Sequence, residues 1–274
     1  MAFETSRPHW YDGGLSTGPV LAIAPDDVAL LYGATLFTTL RIYENRLDHP
    51  LTQWIAHGQR LMQSVQDLGW VMPDLDRLRA GAQAMQSHAP VLRVTVFPDG
   101  RELITGRSLP ADLRDRQRRG VVAWVADSAH YSRPLPQHKT GNYLGCWLAR
   151  QAAQRHGAQE AILRNERGDW LETSTGTLWG WDGDRWWTPP LNAGILPGVV
   201  RSRILHGLAA LGNPAIEAPW TAATRDRFLT LAYTNSVVEI VPLRAILPTP
   251  ASVNYNPNNG SVQMLWDAFR GTNR

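Results

Sequence analysis

The segment Arg133–Gly145, RPLPQHKTGNYLG, contains Lys139, the single lysine among 274 residues. Lysine and arginine together number 27, so the other 26 cations are arginines (27 − 1 = 26). A salt bridge, an anion clamp or a solvated surface charge can each be met by a guanidinium. A nucleophilic amine cannot, because guanidinium stays protonated while an ε-amine loses its proton when buried or set beside another cation. Schiff-base and general-base chemistry are the uses that demand lysine. The plain alternative is that codon bias eroded the other lysines and left this one by chance. Prolines and a glycine flank Lys139, and a helix is expected to begin near Asn142, so the amine stands at a loop-to-helix junction from which it can point into a cleft.

On the C-terminal side the pattern predicts a helix over 142–156, then short strands with tight turns in EAILRN, WLETST and LWGWDGDRWWTPP. A helix over Pro197–Leu211 carries its proline near the start, where the missing N–H costs nothing. Residues 229–243 return as strands and 261–270 as a helix. On the N-terminal side, strands are expected at 19–24 (PVLAIA) and in a hairpin over 35–49 turning at Glu44-Asn45. Helices follow over 51–70 and 74–89, then a hairpin around Asp99-Gly100. Strands and helices mix in both halves, which gives an α/β (α+β) class in two domains. Residues 1–113 form the first domain, 114–120 (RDRQRRG) a solvated linker, and 121–274 the second.

Composition narrows the function. Hydrophobic residues make up 43% and charged residues 19%, the profile of an ordinary globular protein. The formal net charge is only +3, and 114–119 is the one basic run, so nucleic acid is not expected as a partner. Cys146 is the lone cysteine, which excludes an internal disulfide or a cysteine metal cluster; its apolar setting suits a small buried hydrophobe. No run of about 18 apolar residues exists, and MAFETSRPHW lacks the pattern of a secretory leader, so a cytoplasmic protein off the membrane is expected.

Five patterns in order carry a resemblance: Tyr32–Arg41 (YGATLFTTLR), His57-Gly-Gln-Arg60-Leu61, Lys139-Thr-Gly-Asn142-Tyr143-Leu144, Glu172-Thr-Ser-Thr-Gly-Thr177 and Gly198-Val199-Val200-Arg201. Together they resemble the fold-type IV, class IV family of pyridoxal-phosphate enzymes. That family includes branched-chain aminotransferase, D-amino-acid aminotransferase and 4-amino-4-deoxychorismate lyase. The resemblance implies a smaller N-terminal α/β domain, a larger C-terminal domain with a pseudo-barrel of strands and helices, and a homodimer with the cofactor between the domains.

It also implies roles. Lys139 would hold pyridoxal 5'-phosphate as an internal aldimine and then shuttle a proton. Glu172 would face the pyridine nitrogen, and Tyr143 the ring oxygen. Arg60 would hold the phosphate bidentately, aided by the N–H groups of Val199 and Val200 at a helix start and by the Ser236 hydroxyl. Taken alone, Arg60 reads as an exposed helical arginine and Glu172 as a solvated strand glutamate. Two positions depart from the family pattern: Thr177 stands where relatives often have Asn, and Val200 where they often have Thr.

Tyr233-Thr-Asn235-Ser236 and the pair Thr38-Thr39 look like the lyase of the family. The implied reaction converts 4-amino-4-deoxychorismate to 4-aminobenzoate and pyruvate, a step in folate biosynthesis, with Thr38 and Asn235 beside Lys139 at the reacting atoms. Asn235 and Arg93 could meet substrate carboxylates, with Tyr32 a further substrate-side candidate; either of the first two could be structural. A class IV aminotransferase of branched-chain or D-amino acids is the runner-up, since Glu239-Ile240 shares part of the branched-chain pattern. A non-catalytic binding protein is the third reading, with Trp179, Trp181, Trp186 and Trp187 as its interaction face.

Overall fold

The computed structural model describes residues 8–126, 131–247 and 253–271. The expectation drawn from MAFETSRPHW falls mostly on residues 1–7, outside the described residues. Contacts divide the chain into two compact units. One is Met1–Pro110 with His138–Asn142; the other is Ala111–Gln137 with Tyr143–Arg274. The chain therefore enters the first unit a second time, only for the five residues around Lys139.

The first unit is built on an antiparallel sheet of β1 (His9–Tyr11), β2 (Gly14–Ser16), β3 (Leu36–Arg41), β4 (Val91–Val96) and β5 (Glu102–Arg107), in the order β2-β1-β5-β4-β3. Alternation along β3 puts Leu36, Thr38 and Leu40 on one face, opposite Val96, Val94 and Leu92 of β4. That face packs with α2 (Trp54–Asp67) and α3 (Leu75–Met85), whose Leu61, Val65, Leu78 and Met85 complete the core. The β4–β5 hairpin turns at Asp99-Gly100, where Gly100 adopts φ +86°, a conformation that suits glycine. Glu102 is wholly buried and accepts from Trp10 Nε1, Gly13 N and Arg77, which ties the β1–β2 ribbon down.

The second unit holds β6 (Val121–Val125), β7 (Glu160–Arg164), β8 (Trp170–Thr173), β9 (Thr177–Trp181), β10 (Trp186–Thr188), β11 (Ile216–Glu217), β12 (Thr230–Asn235) and β13 (Glu239–Leu247). Their order is β11-β10-β9-β12-β13-β6-β7-β8, and β14 (Val253–Asn254) pairs β13 off this path. β13 joins an antiparallel partner, β12, to a parallel one, β6. Helix α5 (Leu144–Arg155) lays Cys146, Ala149, Ala152 and Ala153 against Val122, Trp124, Ala161 and Leu163, so Cys146 is a small core hydrophobe. Helices α6 (Val199–Ala210) and α7 (Ser261–Arg270) pack on each other so closely that a Cβ at Gly207 would strike the Ala268 carbonyl. The mixed α/β class expected from the sequence holds.

Four local expectations change. Residues 114–120, expected as a solvated linker, are helical over α4 (Leu113–Arg119), with Gln117 Nε2 donating to Val238 O and Glu239. Arg116–Asp112 and Arg119–Asp115 pairs at i,i+4 support this helix without an apolar stripe. Residues 19–24 form no strand: Val20 is exposed and the run finds no ladder partner. The turn at Glu44-Asn45 exists, both residues having positive φ, but it closes a single bridge, Tyr43 to Arg46, and no second strand follows. Trp179, Trp186 and Trp187 are buried in the second unit's sheet, so they form core and not an interaction face.

Candidate active site

In the first unit the lysine segment lies along the free edge of β3. Phe37 N donates to Lys139 O (2.8 Å), Gly141 N donates to Thr35 O (2.6 Å), and Leu36 pairs with Thr140. Gly141 is required here, because a Cβ would strike the Thr35 hydroxyl and the Gly33 carbonyl. This pairing aligns Lys139 with Phe37 on one face, and Lys139 Nζ lies 4.7 Å from the Phe37 ring centroid. Arg93 stacks on the same ring at 3.5 Å, with Nε toward the Thr95 hydroxyl. Two side-chain cations thus lie against one aromatic ring.

Thr38 points the other way, into the face packed by α2. Its Oγ1 lies 2.6 Å from His57 Nδ1 and accepts from Arg60 Nη2 at 2.9 Å. His57, Arg60 and Ser64 share one side of α2 at helical spacing, and Ser64 Oγ meets His138 Nδ1 at 3.0 Å. Burial, and then the charges of Arg60 and Lys139, hold His57 well below the usual imidazole range, so its ring is neutral. Tyr32 ends α1 (Val28–Tyr32) as an exposed side chain.

In the second unit Glu172 is buried on β8, not solvated. One carboxylate oxygen pairs with Arg133 Nε at 2.9 Å, and the other accepts from Leu196 N at 3.2 Å. Leu196 leads through Pro197 and Gly198 into α6, so the same bend that touches Glu172 presents Val199 and Val200 as the first turn of that helix. No side chain caps this end, and Gly198 lies so close to Thr177 that a Cβ there would stand 2.9 Å from the hydroxyl.

Arg133 also meets the Tyr143 hydroxyl at 3.4 Å and the Pro136 carbonyl. Burial works against its charge, and Glu172, Tyr143 and Cys146 together more than restore it. Burial raises the Tyr143 phenol, so it stays protonated. Asn235 and Ser236 form the β12–β13 turn: Asn235 Oδ1 accepts from Val237 N and Val238 N, and Nδ2 points to the Thr175 hydroxyl. Thr175 and Ser174 in turn donate to the buried Glu160.

Thus Lys139 and Arg93 come together on Phe37, His57 and Arg60 on Thr38, and Glu172 and Tyr143 on Arg133. Arg133 and the bond from Thr38 to His57 were not read from the sequence. An arginine six positions before the unique lysine was the available signal for the first. Among the described residues no group of His, Cys, Asp and Glu could hold a metal ion, and no helix is long and apolar enough to cross a membrane. A side-chain amine and a guanidinium in the first unit, and a buried carboxylate and an uncapped helix start in the second, are each a kind of group that a phosphorylated pyridine aldehyde takes up.

The comparisons agree with this chemistry. The family model described as amino-transferase class IV matches residues 35–246. A branched-chain-amino-acid aminotransferase of Salmonella typhimurium is 25% identical over 265 residues, covering 86% of this chain and 84% of its own. An aminodeoxychorismate lyase of Bacillus subtilis is 24% identical over 275 residues, covering 89% and 88%. Among solved structures, the PLP-bound form of a hypothetical aminotransferase from Mycobacterium tuberculosis matches with TM-score 0.82 at 20% identity, covering 96% of this chain and 99% of that one. The last likeness speaks to the fold.

Proposed function

The chain belongs to the class IV amino-transferase family, and from that premise we propose that it is the lyase of the family: a pyridoxal-phosphate enzyme that converts 4-amino-4-deoxychorismate to 4-aminobenzoate and pyruvate. An enzyme of one of the two kinds, aminotransferase or aminodeoxychorismate lyase, is what its relatives are. The observation that carries the reading is the unique side-chain amine, Lys139, strapped by main-chain bonds to the edge of β3 beside a second cation on Phe37.

When bound, the cofactor supplies an aldehyde for an amine and a pyridine ring that withdraws electrons. Lys139 is the group that attaches it and afterwards holds the proton removed from the substrate ring carbon. Glu172 would face the pyridine nitrogen and keep it protonated, and Arg133 pairs with Glu172 at 2.9 Å. Arg60, the N–H groups of Val199 and Val200, and Ser236 would hold the phosphate; with Val in place of Thr at 200, only the backbone donor remains there. Tyr143, a protonated phenol, would donate to the ring oxygen. The reaction removes the ring hydrogen as a proton and releases the enolpyruvyl oxygen with its three carbons as pyruvate, which leaves the ring aromatic.

Thr38-Thr39 and the Thr234-Asn235-Ser236 turn favour the lyase over its relatives that exchange amino groups. The aminotransferase reading retains one specific support, relatives of that name at comparable identity. Product analysis separates them. Equal amounts of 4-aminobenzoate and pyruvate from 4-amino-4-deoxychorismate support the lyase. Glutamate-dependent exchange with branched-chain keto acids, without 4-aminobenzoate, replaces it with the aminotransferase. A homodimer, tested by light scattering of the purified chain, accompanies either reading.

A further inference from the structure

We propose that Thr38 acts through Arg60 as a positioning residue: its hydroxyl, anchored on His57, aims the guanidinium at the cofactor phosphate. The proposal rests on the assignment of Arg60 to that phosphate. It departs from the expectation that places Thr38 among the groups acting on the substrate.

Strand parity is the first argument. Lys139 Nζ lies over Phe37, and the next residue of β3 necessarily turns its side chain to the opposite face. Thr38 is accordingly among Leu36, Leu40 and Val94 on the α2 side, about 1% exposed, and its hydroxyl touches His57 and Arg60. A group on that face is badly placed to move a proton at an atom the lysine serves.

Hydrogen-bond capacity is the second. A threonine hydroxyl has one donor and two acceptor sites. Arg60 Nη2 uses an acceptor site, and the 2.6 Å contact with His57 Nδ1 uses the proton of one partner or the other. The hydroxyl is thus fixed from two sides. An arginine side chain loses much rotamer freedom when it is held in one direction. A bond to one nitrogen defers that cost to folding. The β-branched methyl adds to this by restricting χ1, so the hydroxyl cannot swing away.

His57 is the third. It is buried as deeply as Thr38 and feels the charges of both Arg60 and Lys139. A protonated ring there would be a third cation, so a neutral one is the form that can support the arginine without repelling it.

The test uses the full chain freed of cofactor, titrated with pyridoxal 5'-phosphate and, separately, with pyridoxal, which lacks the phosphate. Wild type, Thr38→Val, Thr38→Ser, Arg60→Met and the double variant Thr38→Val/Arg60→Met are compared, with thermal melts as a check on folding. Thr38→Val should weaken pyridoxal 5'-phosphate binding about tenfold, the effect of one lost bond to a charged group, and leave pyridoxal binding unchanged. Thr38→Ser should recover most of the loss, and Thr38→Val should add nothing once Arg60 is Met. Unchanged affinity for both compounds in Thr38→Val would overturn the proposal, as would equal weakening of both. If Arg60→Met itself binds pyridoxal 5'-phosphate as wild type does, the assignment of Arg60 to the phosphate fails first, and the proposal falls with it.

Discussion

Arg133 Nε stands 2.9 Å from Glu172 Oε1, with the two side chains 5% and 9% exposed. Neither partner was gathered by local sequence, since Arg133 precedes the lysine loop and Glu172 lies on β8. Breaking a buried pair by removing one member leaves an uncompensated charge, at a cost of about 3–5 kcal/mol. Arg133→Met should lower unfolding free energy by about 3 kcal/mol in urea denaturation of the cofactor-free chain. Adding Glu172→Gln should recover part of that loss. Additive losses in this cycle would show that the pair is not coupled.

The second prediction concerns the amine. Borohydride reduction of the loaded protein should fix one pyridoxyl-phosphate group on the peptide that carries Lys139. Lys139→Arg keeps the positive charge but leaves the chain without a side-chain amine, so the mass increment on that peptide should vanish with activity. An increment that persists in the variant at the N-terminal amine alone identifies non-specific reaction. Failure of wild type to take any increment on Lys139 would remove the cofactor assignment.

His57 gives a pH prediction. Its folded pKa lies below the ordinary 6.5, through burial and the charges of Arg60 and Lys139, while Thr38 faces it without charge. Between the folded pKa and about 6.5 the unfolded chain binds more protons than the folded one, so stability rises with pH there. Acidification through that window should therefore destabilise wild type, with a slope of up to about 1.4 kcal/mol per pH unit from this group. His57→Gln should show a shallower decline between pH values near 5 and 7.5. Parallel curves for the two proteins would contradict the assignment.

Much of the architecture was legible because its signals are local. The apolar spacing of Leu61 and Val65 on α2, the Asp99-Gly100 turn and the proline before α6 each announce an element within a few residues. What was not legible depends on partners distant in sequence. PVLAIA reads as a strand, yet a strand exists only where another offers it a ladder. RDRQRR lacks an apolar stripe, and its helix depends on ion pairs with Asp112 and Asp115 and on docking at Val238. Trp179, Trp186 and Trp187 look like a sticky surface in one dimension and are core in three. At the site, His57 and Arg60 appear as a motif, whereas the threonine that joins them comes from another element 19 positions before His57.

Gly198 supplies the last prediction. Its φ of −67° and ψ of 132° are open to any residue, so backbone strain is not why glycine stands here. The constraint is the approach of Thr177, whose hydroxyl would lie 2.9 Å from a Cβ. Thr177 is buried on β9 and is stiff at χ1, so the first turn of α6 must give way in its place. That turn carries the N–H groups of Val199 and Val200, which the proposed function aims at phosphate. Gly198→Ala should therefore weaken pyridoxal 5'-phosphate binding several-fold while costing about 1–3 kcal/mol of stability, the usual range for overpacking. Thr177→Ala made together with it removes the obstructing hydroxyl and should restore most of the affinity. If the double variant binds no better than Gly198→Ala alone, the hydroxyl is not the obstacle, and the glycine must serve the turn in another way.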